Sequence, residues 1–418
     1  MKSEFEEQQC DSLKGFDMTN NASLSSPNVA PSSIPPNAEA GQRIPVRRAK
    51  RFLAILVSVI LIVLAAISTL NFFLDPLHFS SSGLRTAANE MRAGKNYAIY
   101  DANIDFRGLR REAIAAMTTT PDVIIFAGSR FELADATLFP GRTFYNSFVH
   151  NDFFEDLLAI SEILYANNRL PKNLVLSVRY KTFLPLDPSF RETEEYKNFW
   201  REYQTMSGRL GIDAAPQLEI FPFAYWSQLL SVSNIKRQVA FLAQGKRQGP
   251  VEQSVLDDME VLHPDGSIAF SKAHTASFAS TINSRGDKSA STTANTGKKD
   301  AEQRAVKMSK RKEWPLDSQR IEAFGRLLAF LKQHGSSVSI AITPHHPAYW
   351  QGIQGSPYEK SISAMEARVR EIAIANDATV VGSLDPEKAG CPESSIRDFI
   401  HLELSCLKVI FDQIPLKN

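Results

Sequence analysis

The sequence predicts an α/β domain built on a parallel sheet and set behind one membrane-spanning helix. Three observations predict it. An uncharged apolar run from Phe52 to Leu74, about 23 residues, is long enough to cross a hydrocarbon core of ~30 Å as a helix. From residue 122 onward, short β-branched and aromatic runs alternate with stretches of helical periodicity, the pattern of a parallel sheet covered by helices on both faces. Finally, the strand-like run "DVIIF" at 122–126 stops abruptly at "AGS". That places Ser129 at the carboxyl end of a strand, where open α/β sheets carry their ligands.

The chain has 418 residues, room for two or three ordinary domains or for one elaborated α/β domain with appendages. Its formal net charge is +1, so no global field recruits nucleic acid or an acidic polymer. Residues 1–50 are rich in Ser, Asn, Pro and Glu and carry too few aliphatics to offset the entropy of ordering, which predicts a disordered segment. The apolar run begins too deep in the chain, and is too long, for a secretory signal peptide. Arg43, Arg47, Arg48, Lys50 and Arg51 precede it, whereas "DPLHFSSSG" after it carries no Lys or Arg. Positive charge stays cytoplasmic, so the amino terminus is expected inside and everything after Leu74 outside. Cys10 then lies inside, leaving Cys391 and Cys406 as the pair in the exported part. They form a disulfide in an oxidising compartment or remain two thiols, and spacing alone leaves both open.

Beyond the membrane, 84–117 has helical patterning and is expected to be a membrane-proximal connector. Strands are predicted at 122–126, 142–146, 173–178, 338–342 and 378–382. Helices are predicted at 152–166, started by Asn151 or Asp152, at 317–334 ended by Gly335, at 359–376 and at 402–413. The domain thus covers 120–414, interrupted by an insertion at 184–316. The first half of that insertion is aromatic and partly helical. Its second half, 265–313, is Ser, Thr, Ala, Lys and Gly without period and is expected to be a structureless excursion. An "RGD" at 285–287 invites an adhesion reading, but a tripeptide in such sequence carries little weight.

Ser129 is a candidate nucleophile: small residues before it allow a tight turn, and a helix starting after it offers N–H groups to an oxyanion. A local turn or N-cap serine is the plain alternative. A nucleophilic serine needs a base and an orienting carboxylate. "RDFIHLEL" supplies Asp398 and His401 three apart after the last strand, at the same sheet edge as Ser129. The same pattern recurs as "DPLH" at Asp75–His78, so position rather than pattern selects Asp398 and His401.

A small residue, x and Ser after the first strand, Asn at the end of the second and a carboxy-terminal D-x-x-H resemble the SGNH hydrolase superfamily. With the single membrane anchor, the chain more closely resembles membrane-anchored relatives that O-acylate cell-surface polymers, such as the alginate O-acetylation and D-alanyl-lipoteichoic-acid biosynthesis proteins. The resemblance covers about 120–183 and 336–414. It implies a three-layer α/β/α sandwich of flavodoxin-like form in a bacterial inner-membrane protein whose main domain is periplasmic or extracellular. It further implies acyl transfer to, or ester cleavage from, hydroxyls of a cell-surface polysaccharide. Ser129 would be nucleophile, His401 base and Asp398 orienter, with Asn146 either an oxyanion donor or a lock on its loop. A membrane-bound acyltransferase is the implied partner. The sequence departs from the usual pattern in three places. Ala127 and Gly128 stand before the serine where G-x is usual. His150 and Asn151 stand where a glycine is expected, and "RYKTF" follows the third strand where relatives often carry an acidic residue. The competing expectation is a non-catalytic polysaccharide-assembly or binding protein that keeps the fold.

"TPHHPAYW" follows the fourth predicted strand. Adjacent His345 and His346 point to opposite sides of an extended backbone and make no natural metal pair. Tyr349 and Trp350 offer stacking surfaces for a sugar ring, or simply pack beneath the loop. No zinc-type Cys/His spacing and no phosphate-cradling glycine loop occurs, so neither metal nor cofactor is expected.

Overall fold

The computed structural model describes residues 46–417 apart from 76, 78–79, 101–103, 185–198, 214–228 and 274–291. The expected disorder of 1–50 therefore falls almost wholly outside the described residues, as do the RGD and His78.

Helix α1 spans Val46–Leu74, and its stretch Arg47–Leu74, which contains an 18-residue window of mean hydropathy 2.9, is long and apolar enough to cross a membrane. The predicted connector is only partly helical. It comprises α2 (Ser81–Arg92), strand β1 (Asn96–Ile99) and α3 (Phe106–Ala116). The parallel sheet is then built from β2 (Val123–Phe126), β3 (Phe144–Asn146) and, after α4 (Phe154–Ala166), β4 (Asn173–Ser177). The insertion follows, with α5 (Trp200–Arg209), α6 (Val232–Ala243), strands β5 (Gly249–Val251), β6 (Glu260–Leu262) and β7 (Ile268–Ala269), and α7 (Thr292–Ser309). The second part of the domain runs α8 (Ser318–Gln333), β8 (Ser337–Ile342), α9 (Pro347–Ile353), α10 (Pro357–Ala375), β9 (Thr379–Gly382), α11 (Pro386–Ala389) and α12 (Leu404–Phe411).

Five strands in the order β3-β2-β4-β8-β9 form one sheet, every neighbouring pair parallel. Parallel strands read as continuous apolar runs because both faces are covered. In β2, Ile124 and Phe126 enter one buried cluster with Leu157 and Leu158 of α4. Val123 and Ile125 enter another with Leu407, Ile410 and Phe411 of α12. Helix α4 is buried nearly all round, which its three acidic residues tolerate because each is ion-paired. Asp156 meets Arg107 of α3 at 2.6 Å, Glu162 meets Arg209 of α5 at 2.7 Å, and Glu155 meets Arg320 of α8.

Two expectations are corrected. The connector and the insertion share a second, antiparallel sheet of order β5-β1-β6-β7. Its strands, two to four residues long, are too short to show a period. Nor is 265–313 structureless throughout: 268–269 is a strand and Thr292–Ser309 a helix. Ala301, Ala305 and Met308, on one face of α7, are buried. Ala305 lies against Gly352 of α9, where a Cβ would stand 2.6 Å away. Small residues at close helix contacts do not register as hydrophobic periodicity, which is why the composition reads as loop.

Candidate active site

The chain leaves β2 through buried Ala127 and Gly128 and enters a single 3₁₀ turn, Ser129–Phe131. The turn's own hydrogen bonds begin at the Phe131 N–H, to Gly128 O at 3.1 Å. The N–H groups of Ser129 and Arg130 are therefore not used by the turn itself.

The opposite wall comes from the end of the chain. After β9 and α11, a bridge between Ile396 and Leu402 and a hydrogen bond from Arg397 N–H to His401 O at 2.8 Å close a narrow loop. Asp398 and His401 sit in it, just before α12. A Cys391–Cys406 disulfide brackets the loop, with a sequence separation of 15. Phe399, at its tip, takes the Arg304 guanidinium of α7 over its ring at 4.3 Å, and Phe399 O accepts from His346 N–H at 3.0 Å.

These two segments bring Ser129, His401 and Asp398 into one relay. Ser129 Oγ lies 3.2 Å from His401 Nε2, and His401 Nδ1 lies 2.6 Å from Asp398 Oδ2. Asp398 Oδ1 accepts from the Ile400 and His401 N–H groups, both at 2.8 Å. An ionised carboxylate can only accept, so His401 Nδ1 must carry the proton. In the neutral ring the Nε2 lone pair then faces the serine. Burial works against the Asp398 charge, yet His401 and the two backbone donors outweigh it and hold the carboxyl well below the usual carboxylate range. Burial likewise opposes charge on His401, but Asp398, with a smaller contribution from Glu132, raises the imidazole above its ordinary value. The His401 side chain is 27 % exposed, so the relay opens to solvent.

Asn146, at the end of β3, is fully buried. Its Nδ2 donates to Phe131 O at 2.8 Å and Ala134 O at 2.9 Å, while Oδ1 accepts from Phe148 N–H at 3.0 Å. Both amide hydrogens are used, so of the two roles expected for it, the geometry is that of a lock on the loop beyond Ser129. The β6–β7 hairpin backs that lock. Asn146 N–H donates to Asp265 O at 2.6 Å, and Gly266, at φ +81°, approaches so closely that a Cβ would stand 2.2 Å from Asn146 O.

Of the two readings left open for the loop after β8, sugar stacking or packing beneath it, the burial of three of its four residues matches packing. His345, His346 and Tyr349 are each about 1 % exposed. The Tyr349 ring stacks on His345 at 5.0 Å and meets Phe399 at 5.6 Å, so it belongs to the core. Burial and the nearby Arg130 charge lower His345 to about 3, keeping it neutral. Nδ1 of His346 caps α9 by accepting from Ala348 N–H at 3.1 Å. Trp350 alone of the four keeps part of its surface exposed. Among the described residues no cluster of three or more His, Cys, Asp or Glu could hold a metal.

Three residues beside Ser129 were not singled out from sequence. Asp152, predicted only as a possible helix cap, instead packs under Gly128, where a Cβ would stand 2.1 Å from its Oδ1. Arg179, from "RYKTF" after β4, pairs with Asp152 Oδ1 at 3.0 Å. Arg130, also buried, donates to Thr343 Oγ1 at 2.8 Å. Burial pushes the Asp152 carboxyl up, against the pull of Arg179. The glycine in "AGS" therefore answers a packing need, the close approach of a buried carboxylate. No spacing rule links positions 128, 152 and 179. No protein-family model matches the chain, and no curated protein sequence matches it.

Proposed function

We propose that the chain is a membrane-anchored serine enzyme of the SGNH type, a three-layer α/β/α domain held outside the membrane by α1. In this reading it transfers acyl groups to, or cleaves esters from, hydroxyls of a cell-surface polysaccharide. The observation that carries the reading is the continuous Ser129–His401–Asp398 relay, assembled from residues 272 positions apart. A local turn serine has no need of an imidazole whose other nitrogen is held by a carboxylate. The Cys391–Cys406 bond supports an oxidising compartment for this part of the chain.

In the reaction, Ser129 Oγ attacks the acyl carbonyl while His401 Nε2 takes its proton, and Asp398 stabilises the resulting imidazolium. The Ser129 N–H faces the developing oxyanion. Collapse of the tetrahedral species expels the donor's alcohol, which His401 protonates, and leaves an acyl ester on Ser129. A water or a sugar hydroxyl, deprotonated by His401, then attacks that ester, releasing the acid or the acylated acceptor and restoring Ser129. Hydrolysis and transfer differ only in this second nucleophile.

Turnover of a chromogenic acetyl ester by the full chain in detergent micelles tests the reading. Ser129→Ala and His401→Ala should each remove it, and the double variant should be hardly slower than either, because members of such a unit are not additive. Unchanged turnover in Ser129→Ala with loss on altering Trp350 would favour a binding protein instead.

A further inference from the structure

Helix α6 is built inside out. Its inward face carries Asn234 and Gln238, 6 % and 2 % exposed, while Val232, Val239 and Leu242 are 48 %, 51 % and 41 % exposed. By the 3.6-residue period, Val232, Lys236, Val239 and Ala243 share one face, and Asn234, Gln238 and Phe241 lie opposite. A helix facing water has the reverse arrangement.

The buried polar groups are spent on the end of α1. Asn71, in the last turn of that helix and fully buried, donates from Nδ2 to Leu229 O at 2.7 Å and Ser231 O at 3.2 Å. Asn234 Nδ2 returns a bond to Asn71 Oδ1 at 3.0 Å, and Gln238 Nε2 reaches Asp75 Oδ2 at 3.3 Å. Phe241 stacks on Tyr100 at 4.2 Å, fixing the inner face further along. The contact is thus made at the place where the apolar run ends. Asn71 lies only about 5 Å along the helix axis from Leu74. Phe72 and Phe73, 39 % and 74 % exposed, stand on the same turn.

We propose that α6 is a second membrane-contacting element, an interfacial helix whose Val232–Val239–Ala243 face lies in the lipid headgroup and upper acyl region beside the exit of α1. The proposal rests on α1 spanning the bilayer and is independent of the serine chemistry. Lipid is the occupant because α6 is fastened to the end of an apolar helix and its outward face is aliphatic. Exposed Lys236 sits on that face, where its stem can lie along lipid and its ammonium reach phosphate. Such a contact fixes the exported domain at the membrane surface.

The test uses nitroxide labels on the full chain in a Cys10→Ser background, reconstituted in vesicles of phosphatidylcholine and phosphatidylglycerol. Labels go on Val232→Cys and Val239→Cys, with Val63→Cys in α1 and Ile374→Cys, 80 % exposed on α10, as references. Collision with lipid-soluble oxygen is compared with collision with a water-soluble nickel chelate. Labels at 232 and 239 are expected to favour oxygen, as at 63, whereas that at 374 favours nickel. Nickel-favouring labels at 232 and 239 with an oxygen-favouring label at 63 would overturn the interfacial helix while leaving the anchor. A nickel-favouring label at 63 would remove the anchor and the proposal together.

Discussion

Replacing Asp398 by Asn is the most discriminating change short of removing the nucleophile. The side chain keeps its shape, and the amide oxygen can still accept from the Ile400 and His401 N–H groups. What changes is the partner presented to His401 Nδ1, now an N–H₂ donor at the 2.6 Å contact. The imidazole must therefore carry its proton on Nε2 and turn that N–H toward Ser129 Oγ, the wrong tautomer for a base. The expected loss in the rate at which Ser129 reacts with a fluorophosphonate is on the order of 10⁴-fold, or about 5.5 kcal/mol. The pH profile should move as well. In the native chain the imidazole is raised above 6.5, and only its neutral form is a base. The rate should therefore rise with pH through a midpoint above 6.5 and vanish well below it. With Asn at 398 the main attraction for the imidazolium is gone and burial remains, so the midpoint should shift down. Labelling rates across pH on micellar full-chain protein check both effects. A variant that labels at the native rate with an unmoved midpoint would refute the role given to Asp398.

Gly128→Ala should destabilise the domain by about 1–3 kcal/mol in denaturant unfolding, because Asp152 is pinned by Arg179 and cannot retreat from the new methyl; an unchanged midpoint would mean that the carboxylate moves freely. Replacing Cys391 and Cys406 together by Ala should cost about 3 kcal/mol, the entropy of opening a loop with a separation of 15, and unfolding with and without reductant measures it. Asn146→Ala should lower stability by about 1–3 kcal/mol for the buried carbonyls left unpaired, and its labelling by fluorophosphonate should fall only as far as the loop loosens. A reporter active only outside the cytoplasm should be active when fused after Asn418, and activity of a cytoplasm-only reporter there would invert the topology drawn from Arg47, Arg48, Lys50 and Arg51.

What was legible in the sequence follows from how each feature is encoded. The five parallel strands fall on the predicted runs within a residue or two, because strands buried on both faces must be continuously apolar. Ser129, Asp398 and His401 could be chosen together because the α/β topology sends both segments to one sheet edge, whereas "DPLH" at 75–78 precedes the first predicted strand in sequence. The second sheet was invisible, since the pairing of β1 with β5 and β6 of the insertion is a long-range fact without local period. The Gly128–Asp152–Arg179 packing was invisible for the same reason. Whether Tyr349 and His345 stack on a sugar or pack beneath the loop stayed open because aromatic composition does not reveal depth; in the fold both are buried, with Tyr349 against His345 and Phe399.

The central claim is that Ser129 is an activated nucleophile. It is tested most directly by treating the full-length protein with a fluorophosphonate at neutral pH and mapping the adduct by peptide mass spectrometry. The relay predicts one phosphonylated residue, Ser129, with labelling abolished in Ser129→Ala and nearly so in His401→Ala. Native protein that stays unmodified at Ser129 under conditions that label a known serine esterase, or a Ser129→Ala variant that labels as fast as the native chain, would contradict it.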